Sequence, residues 1–196
     1  MIERDDKLAD NVYSQIFDIQ NRMVMFTQTV PSTITTFAYG DGEIRTITVE
    51  EDPAETKRTT YYPFPGYEEE VIAEWICMGI CWWAVQDTIQ RSTYTLAGQT
   101  IAIRVSDHPD SDNNGIFYVL SDRLGSTTLL VYANDHDSPL PGTLVPGSEA
   151  YYLPYGGYRE EPGSGEITDR GYTGHAQQND LKLIYMQARF YVQDVG

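Results

Sequence analysis

Tyr118-Val-Leu-Ser-Asp122-Arg123-Leu124-Gly125-Ser126-Thr127-Thr128-Leu-Leu-Val131 reads as strand, turn, strand. Aliphatic, aromatic and β-branched side chains stand on both sides of a polar Ser-Asp-Arg step. Asp122 can hydrogen-bond its own backbone and start a turn, and Gly125 can take a positive φ. A β-hairpin is the plain reading of this stretch, and the rest of the chain is in keeping with it. Tyr is abundant at 15 residues, and with many Thr it suits a pleated, half-buried surface better than a helix. The 16 Gly and 10 Pro punctuate short runs, so the chain is expected to be mainly β.

At 196 residues the chain suits one domain or a piece of a larger one. Its net charge of -16, from 29 acids against 13 bases, argues against wrapping nucleic acid or resting on an anionic membrane, since both need a basic face. The N-terminal Met1-Ile-Glu-Arg-Asp-Asp-Lys7 is charged and leads into no apolar segment, so no signal peptide is visible and residues 1–11 are expected to be loose. Cys77 and Cys81 are too few for a disulfide-built scaffold and lack the second pair of a structural zinc site.

A repeat runs through the first third. Phe17-Asp18-Ile-Gln-Asn21-Arg22 is a turn between two β runs. Twenty-two residues after Phe17, Tyr39-Gly40-Asp41-Gly42-Glu43-Ile44-Arg45 is another, again entered by an aromatic and left by an arginine. Units of this length suggest an array in which each hairpin needs its neighbours to bury its apolar face. Asp and Gly set the turn, the aromatic packs inward, and Arg reaches a neighbouring strand. These are structural roles. A charged loop with Pro53 follows, then Thr59-Thr-Tyr61-Tyr62-Pro-Phe-Pro65-Gly66-Tyr67.

The next stretch breaks the pattern. Trp75-Ile-Cys77-Met-Gly79-Ile-Cys81-Trp82-Trp83-Ala-Val85 is eleven residues without a charge, short of the ~20 needed to span a bilayer. Two readings stay open for 71–88: an inserted short helix, or text produced by an altered reading frame. A helix would put Cys77 and Cys81 on one face as a redox pair or half a metal site, but without further ligands nearby they read as buried free cysteines. If exposed, the stretch would be prone to aggregation. The β pattern then returns in Tyr94-Thr-Leu-Ala97-Gly98-Gln99-Thr-Ile101-Ala-Ile103-Arg-Val105.

Asp110-Ser-Asp112-Asn-Asn114-Gly115 has the oxygen spacing of half a calcium loop. The twelfth position, where a bidentate Glu is needed, is Ser121, so the stretch reads as a solvated hairpin loop. His108, His136 and His175 fall in loops and in no nucleophile motif. Ala133 to Gly147 contains a Pro/Gly-rich excursion that reads as a surface loop.

Four motifs occur in order: Asp122 to Thr127, Tyr152-Leu-Pro154-Tyr155-Gly156, Tyr172-Thr173-Gly174, and Tyr185-Met-Gln-Ala188-Arg189-Phe190-Tyr191. Together they resemble the Rhs repeat-associated core, the C-terminal part of the Rhs, wall-associated and teneurin-like YD-repeat proteins. Phe17 to Arg22 and Tyr39 to Arg45 resemble the YD repeat itself, with Phe17 for the usual Tyr and Gly40 for the usual Asp. Thr60-Tyr61-Tyr62 before Gly66-Tyr67-Glu68, and Tyr94 to Arg104, also match similar proteins. At 71–88 the family usually has a short polar hairpin.

The resemblance implies antiparallel hairpin repeats of a YD shell, an open, partial β cocoon, with 71–88 as a candidate short helix plugging the interior. It divides the chain into a loose N-terminus (1–11), YD-like hairpins (12–70), an atypical apolar insertion (71–88) and the core (89–196). It implies a non-catalytic structural segment of a shell that encloses and delivers a C-terminal toxin domain, in a larger secreted or cell-surface bacterial protein. Its expected partners are further YD repeats or the toxin, with self-association through open strand edges where those are missing. No nucleic acid and no membrane span are implied.

Many relatives cut themselves free of the toxin with acids in two Asp-Pro-x-x-Gly motifs. Here the aligned Asp-Pro is Val192-Gln193, Asp194 is displaced and only Gly196 matches, so the chain reads as a truncated remnant without self-cleavage, which needs paired groups. No catalytic, cofactor-binding or metal-ligating residue is singled out, and no cofactor is implied. A glycosidase would need two carboxylates across a cleft, and no pair stands out. The other reading is a free-standing β-rich surface module that binds carbohydrate or protein through its tyrosines. Clustered exposed Tyr would favour that module, and Tyr packed between strands would favour the shell.

Overall fold

The computed structural model describes every residue except 1, 7–10, 30–31, 42–43, 53–55, 135–140, 161, 164, 179–180, 187–188 and 194–196. Gly42, Glu43, Pro53, His136, Ala188, Asp194 and Gly196, which figured in the sequence reading, lie outside the described residues. The described secondary structure is antiparallel β with two short 3₁₀ turns. Eleven strands form one sheet in simple chain order, each beside its sequence neighbour. They are β1 (Ile2–Asp6), β2 (Asn11–Phe17), β3 (Met23–Gln28), β4 (Thr33–Tyr39), β5 (Arg45–Glu51), β6 (Thr56–Phe64), β7 (Tyr67–Met78), β8 (Ile80–Leu96), β9 (Gln99–Ser106), β10 (Gly115–Ser121) and β11 (Thr127–Tyr132). A smaller sheet holds β12 (Ala176–Gln178), β13 (Leu183–Met186) and β14 (Arg189–Val192). The expectation of a mainly β chain of antiparallel hairpins holds. Residues 1–11, expected to be loose, contain β1, paired from Ile2↔Gln15 to Asp6↔Asn11.

The chain divides into two compact units, residues 1–88 with 187–189, and 89–186 with 190–196. In the first, the buried apolar side chains are Tyr13, Met23, Phe26, Phe37 and Ala73. They share the interior with Gln15, Gln28, Thr35, Arg45, Thr48, Glu68 and Glu70. Such a mixed surface yields less hydrophobic stabilisation than an aliphatic one. Arg58 Nη1 lies 3.0 Å from buried Glu70 Oε1, and Tyr13 packs on Phe26 at 5.5 Å between ring centroids.

The second unit has the apolar core. Ile103, Val105, Phe117, Val119, Leu130 and Tyr132 bury one face of β9, β10 and β11, with Phe117 opposite both Ile103 and Tyr132. Their alternation follows the period of two expected of strands with one buried face. Described residues of the 133–147 excursion do more than loop. Tyr132 N donates to Thr143 O, Val145 N to Leu130 O, and Ser148 Oγ accepts from Leu130 N, so 142–148 lies along the β11 edge and satisfies its backbone groups.

The 71–88 stretch is neither a helix nor a break in the fold. It is the end of β7, a turn at Gly79 with φ +87, and the start of β8. Its residue order explains this. Reading outward from Gly79, Met78 faces Ile80, Cys77 faces Cys81 and Trp75 matches Trp83, a near-mirror order that suits a hairpin. Cys77 and Cys81 are therefore not buried free thiols. They are exposed and joined in a disulfide, with Cα atoms 4.2 Å apart, because a hairpin sets residues flanking its tip opposite each other.

Candidate functional site

Three of the four ordered motifs lock around the turn that leads into β11. The turn itself is built locally. Asp122 N donates to Ser126 O at 2.9 Å, Gly125 N to Asp122 O at 3.0 Å, and Asp122 Oδ1 accepts from Leu124 N at 2.7 Å and Ser126 N at 2.9 Å. Gly125 takes φ 83, a conformation that costs glycine little. Burial alone would raise the Asp122 pKa, but the hydrogen bonds from Ser126 and Leu124 outweigh it and hold the carboxyl below its ordinary range.

The same turn stands in the first unit. Asp18 N donates to Arg22 O, Asn21 N donates to Asp18 O, and Asp18 Oδ1 accepts from Gln20 N and Arg22 N, each at 2.9 to 3.0 Å. Asn21, at φ 60, takes the place of Gly125. A third copy keeps the backbone bond of Gly40 N to Ile44 O at 2.9 Å where Gly40 replaces the Asp. Each hairpin carries a register shift just before its turn, between Ile16 and Phe17, Ala38 and Tyr39, and Leu120 and Ser121. The expected repeat is thus a repeat of hydrogen bonds.

Neighbouring repeats are joined by their aromatics. The Arg22 guanidinium lies over the Tyr39 ring at 4.9 Å, and Arg45 lies over Tyr62 at 4.6 Å while donating to its hydroxyl at 2.9 Å. Tyr39 Oη donates to Met23 O, the first residue past the Asp18 turn, at 2.6 Å. In the second unit Tyr152 Oη makes the equivalent bond to Thr127 O, also at 2.6 Å.

Around Tyr152 the motifs meet. Its ring packs on Tyr158 and Tyr172, at 5.0 and 5.7 Å between centroids. Thr173 N donates to Ser126 Oγ at 3.1 Å, Thr127 N to Gly171 O at 3.1 Å, and Tyr172 Oη to Pro154 O at 3.2 Å. Gln177 Oε1 accepts from Tyr172 N at 2.6 Å, and its Nε2 donates to Gly156 O at 3.1 Å. Gly156, at φ 86, has no room for a side chain, because a Cβ would stand 2.6 Å from the Tyr172 ring and 2.9 Å from Ile184 of β13. In the fourth motif Tyr185 and Phe190 pack at 5.3 Å. Burial, then the neighbouring Tyr158, pushes the Tyr152 hydroxyl far up, so it is neutral and serves as a hydrogen-bond donor. Burial also raises Tyr191, with Tyr172 and Tyr155 adding to the effect.

The candidate calcium loop is closed on itself. Asp110 Oδ1 accepts from Asp112 N at 3.0 Å, and the Asn114 side chain accepts from His108 N and donates to the carbonyls of His108 and Asp110. Its hairpin-loop reading fits this geometry. His108 is buried, with Nε2 3.4 Å from Glu166 Oε2. His175, half-buried next to the Tyr172–Gly174 turn, has its pKa lowered by burial and then by Arg170. The long-range bonds of Ser126, Ser148 and Gln177 have no local signal in the sequence, because their partners lie up to 47 residues away.

No family model matches the chain, and no curated protein matches it. Solved structures do match. The crystal structure of TcdB2-TccC3-TEV superposes with a TM-score of 0.72 at 18% identity, covering 92% of this chain and 8% of that one. The crystal structure of TcdB2-TccC3 without its hypervariable C-terminal region does so with a TM-score of 0.70, also at 18% identity and with the same coverage. The chain thus shares its fold with a small part of the TcdB2-TccC3 chains and spans less than a tenth of their length.

Proposed function

We propose that this chain is a structural, non-catalytic segment of an Rhs/YD-repeat β shell, which in the whole protein encloses and delivers a toxin domain. The observation that carries the reading is the recurring turn with its inter-repeat contacts, Arg22 on Tyr39 and Arg45 on Tyr62. Each unit uses its most chemical side chains to hold the next, which leaves them no substrate to act on. The shared fold with TcdB2-TccC3 supports the same role. Asp18 and Asp122, the acids with the clearest shifts, are both pulled below their ordinary range, opposite to what a general acid needs. The Cys77–Cys81 disulfide and its exposure suit an oxidising, extracytoplasmic location. Among the described residues, no helix is long and apolar enough to cross a membrane.

The test is to read the gene with its flanking DNA and to measure the protein's size in its source cells. Further YD hairpins in frame, in a protein far larger than 22.2 kDa, are expected. A free 22.2 kDa protein flanked by stop codons would sink the shell reading. The surface-module reading would then lead, because Tyr151, Leu153 and Tyr155 stand exposed together on one short segment.

A further inference from the structure

The tip of the β7–β8 hairpin carries an apolar load that the repeat does not explain. Residues 75–86 hold no charged side chain in a chain that is 21% charged. Met78 and Ile80 at the apex are each 78% exposed, and Trp75, Trp82 and Val85 behind them are 45%, 42% and 63% exposed. Exposure of this kind is costly unless something apolar covers it. Successive side chains of a strand point to opposite faces. Trp75 and Trp83 share one face, packed at 5.2 Å between centroids, and Trp82 is on the other, so both faces of the ribbon are apolar. The pairing of β6 with β7 ends at Glu74, and the pairing of β8 with β9 begins at Gln90.

Both faces of the ribbon are apolar, and a fluid apolar medium covers both at once. We infer that the disulfide-clasped tip, residues 75–83, is an anchor that inserts into the interfacial layer of a zwitterionic lipid bilayer. The dimensions suit this. From the Trp75 and Trp83 pair to Gly79 is four residues, or ~14 Å of extended chain. Apex immersion of ~5–10 Å places Met78, Gly79 and Ile80 at the acyl boundary and the tryptophans at the headgroup level that indoles prefer. Shallow insertion also keeps the ribbon's outer backbone groups within reach of water and headgroups, which deep insertion would forbid. The disulfide holds the two arms together where no neighbouring strand does. Lys57 Nζ lies 5.7 Å over the Trp83 ring, but Glu74 and Asp87 at the base and the net charge of -16 outweigh it and select neutral over anionic headgroups.

All three tryptophans of the chain, Trp75, Trp82 and Trp83, lie in this ribbon, so tryptophan emission reports on it alone. The experiment mixes the full oxidised chain with phosphatidylcholine vesicles and reads emission, flotation and quenching by lipids brominated at set depths. Expected are a shift to shorter wavelength, stronger quenching from shallow than from deep bromines, and little change at high salt. The Met78→Asp, Ile80→Asp double variant should lower the bound fraction by about tenfold or more. Its unfolding midpoint should not move, since both side chains are exposed. Three results would overturn the inference. One is emission unchanged by vesicles. Another is binding that the double variant retains. The last is a blue shift that appears without lipid as the chain dimerises in sedimentation, which would make the ribbon an interface between copies.

Discussion

Asp122 does its work through two backbone N–H groups, those of Leu124 and Ser126. Asp122→Ala should cost about 1–2 kcal/mol in urea unfolding, and Asp122→Asn, which keeps an acceptor, clearly less. Because the folded pKa is lowered, the charge stabilises the fold above the ordinary value of 3.8, and that share is lost as pH falls through the lower folded value. Asp122→Asn should therefore flatten the decline of stability below pH 3.8. A variant that declines as steeply as the parent would assign the acid sensitivity elsewhere. Tyr152 and Gly156 make a second pair of tests. Tyr152→Phe removes the donor to Thr127 O and should cost about 1–2 kcal/mol. Gly156→Ala must both adopt positive φ and displace the Tyr172 ring, so about 2–3 kcal/mol is expected, with broadened Tyr172 ring signals in NMR spectra.

Hairpins are the unit from which this chain is built, and three of them use one turn. Where Asp is present the side chain caps the turn, and where Gly40 replaces it the backbone bond to Ile44 O persists without the cap. Gly40→Asp is therefore expected to raise the unfolding midpoint modestly, provided the carboxylate finds the two N–H groups that Asp18 finds. Its Cβ would meet Thr46 Cγ2 at 3.0 Å, a methyl on a side chain that must give slightly. A midpoint that drops would mean the crowding at Thr46 outweighs the cap. The β7–β8 hairpin behaves differently. Its disulfide closes a loop of only four residues' separation, for which chain entropy gives at most about 2 kcal/mol. Reduction should thus leave β6 and the base of β7 protected from amide exchange while residues 75–83 exchange faster.

The two units differ in what they bury. Residues 89–186 hold Ile103, Phe117, Leu130, Leu183 and Ile184 at full burial, whereas the first unit mixes Phe26 and Phe37 with Gln, Thr, Arg and Glu side chains. Hydrophobic area is the main favourable term in folding, so the second unit should be the last to open. Native-state hydrogen exchange should show the slowest amides in β9, β10, β11 and β13, with β2 to β5 exchanging through smaller openings. Equal protection in both units would mean that they unfold as one.

Much of this was legible in the residues themselves. The turn at Asp122 to Ser126 and its copy at Asp18 to Arg22 are closed by hydrogen bonds spanning at most four residues, so residue type alone determines them. The aliphatic, aromatic and β-branched residues on both sides of the Asp122 turn likewise favour strands, because they suit a pleated, half-buried surface. The ordered motifs could be recognised, but not that they meet. Thr173 reaches Ser126 over 47 residues and Tyr152 reaches Thr127 over 25, and no local rule encodes such distances. The ribbon at 71–88 is the clearest case of the tertiary structure deciding. An apolar run with two cysteines is compatible with a buried helix or an exposed hairpin, since periodicity is blind in a stretch with no polar face. Only the continuation of β7 from its pairing with β6, and the positive φ at Gly79, turned it into a strand pair and brought the two sulfurs together in the open.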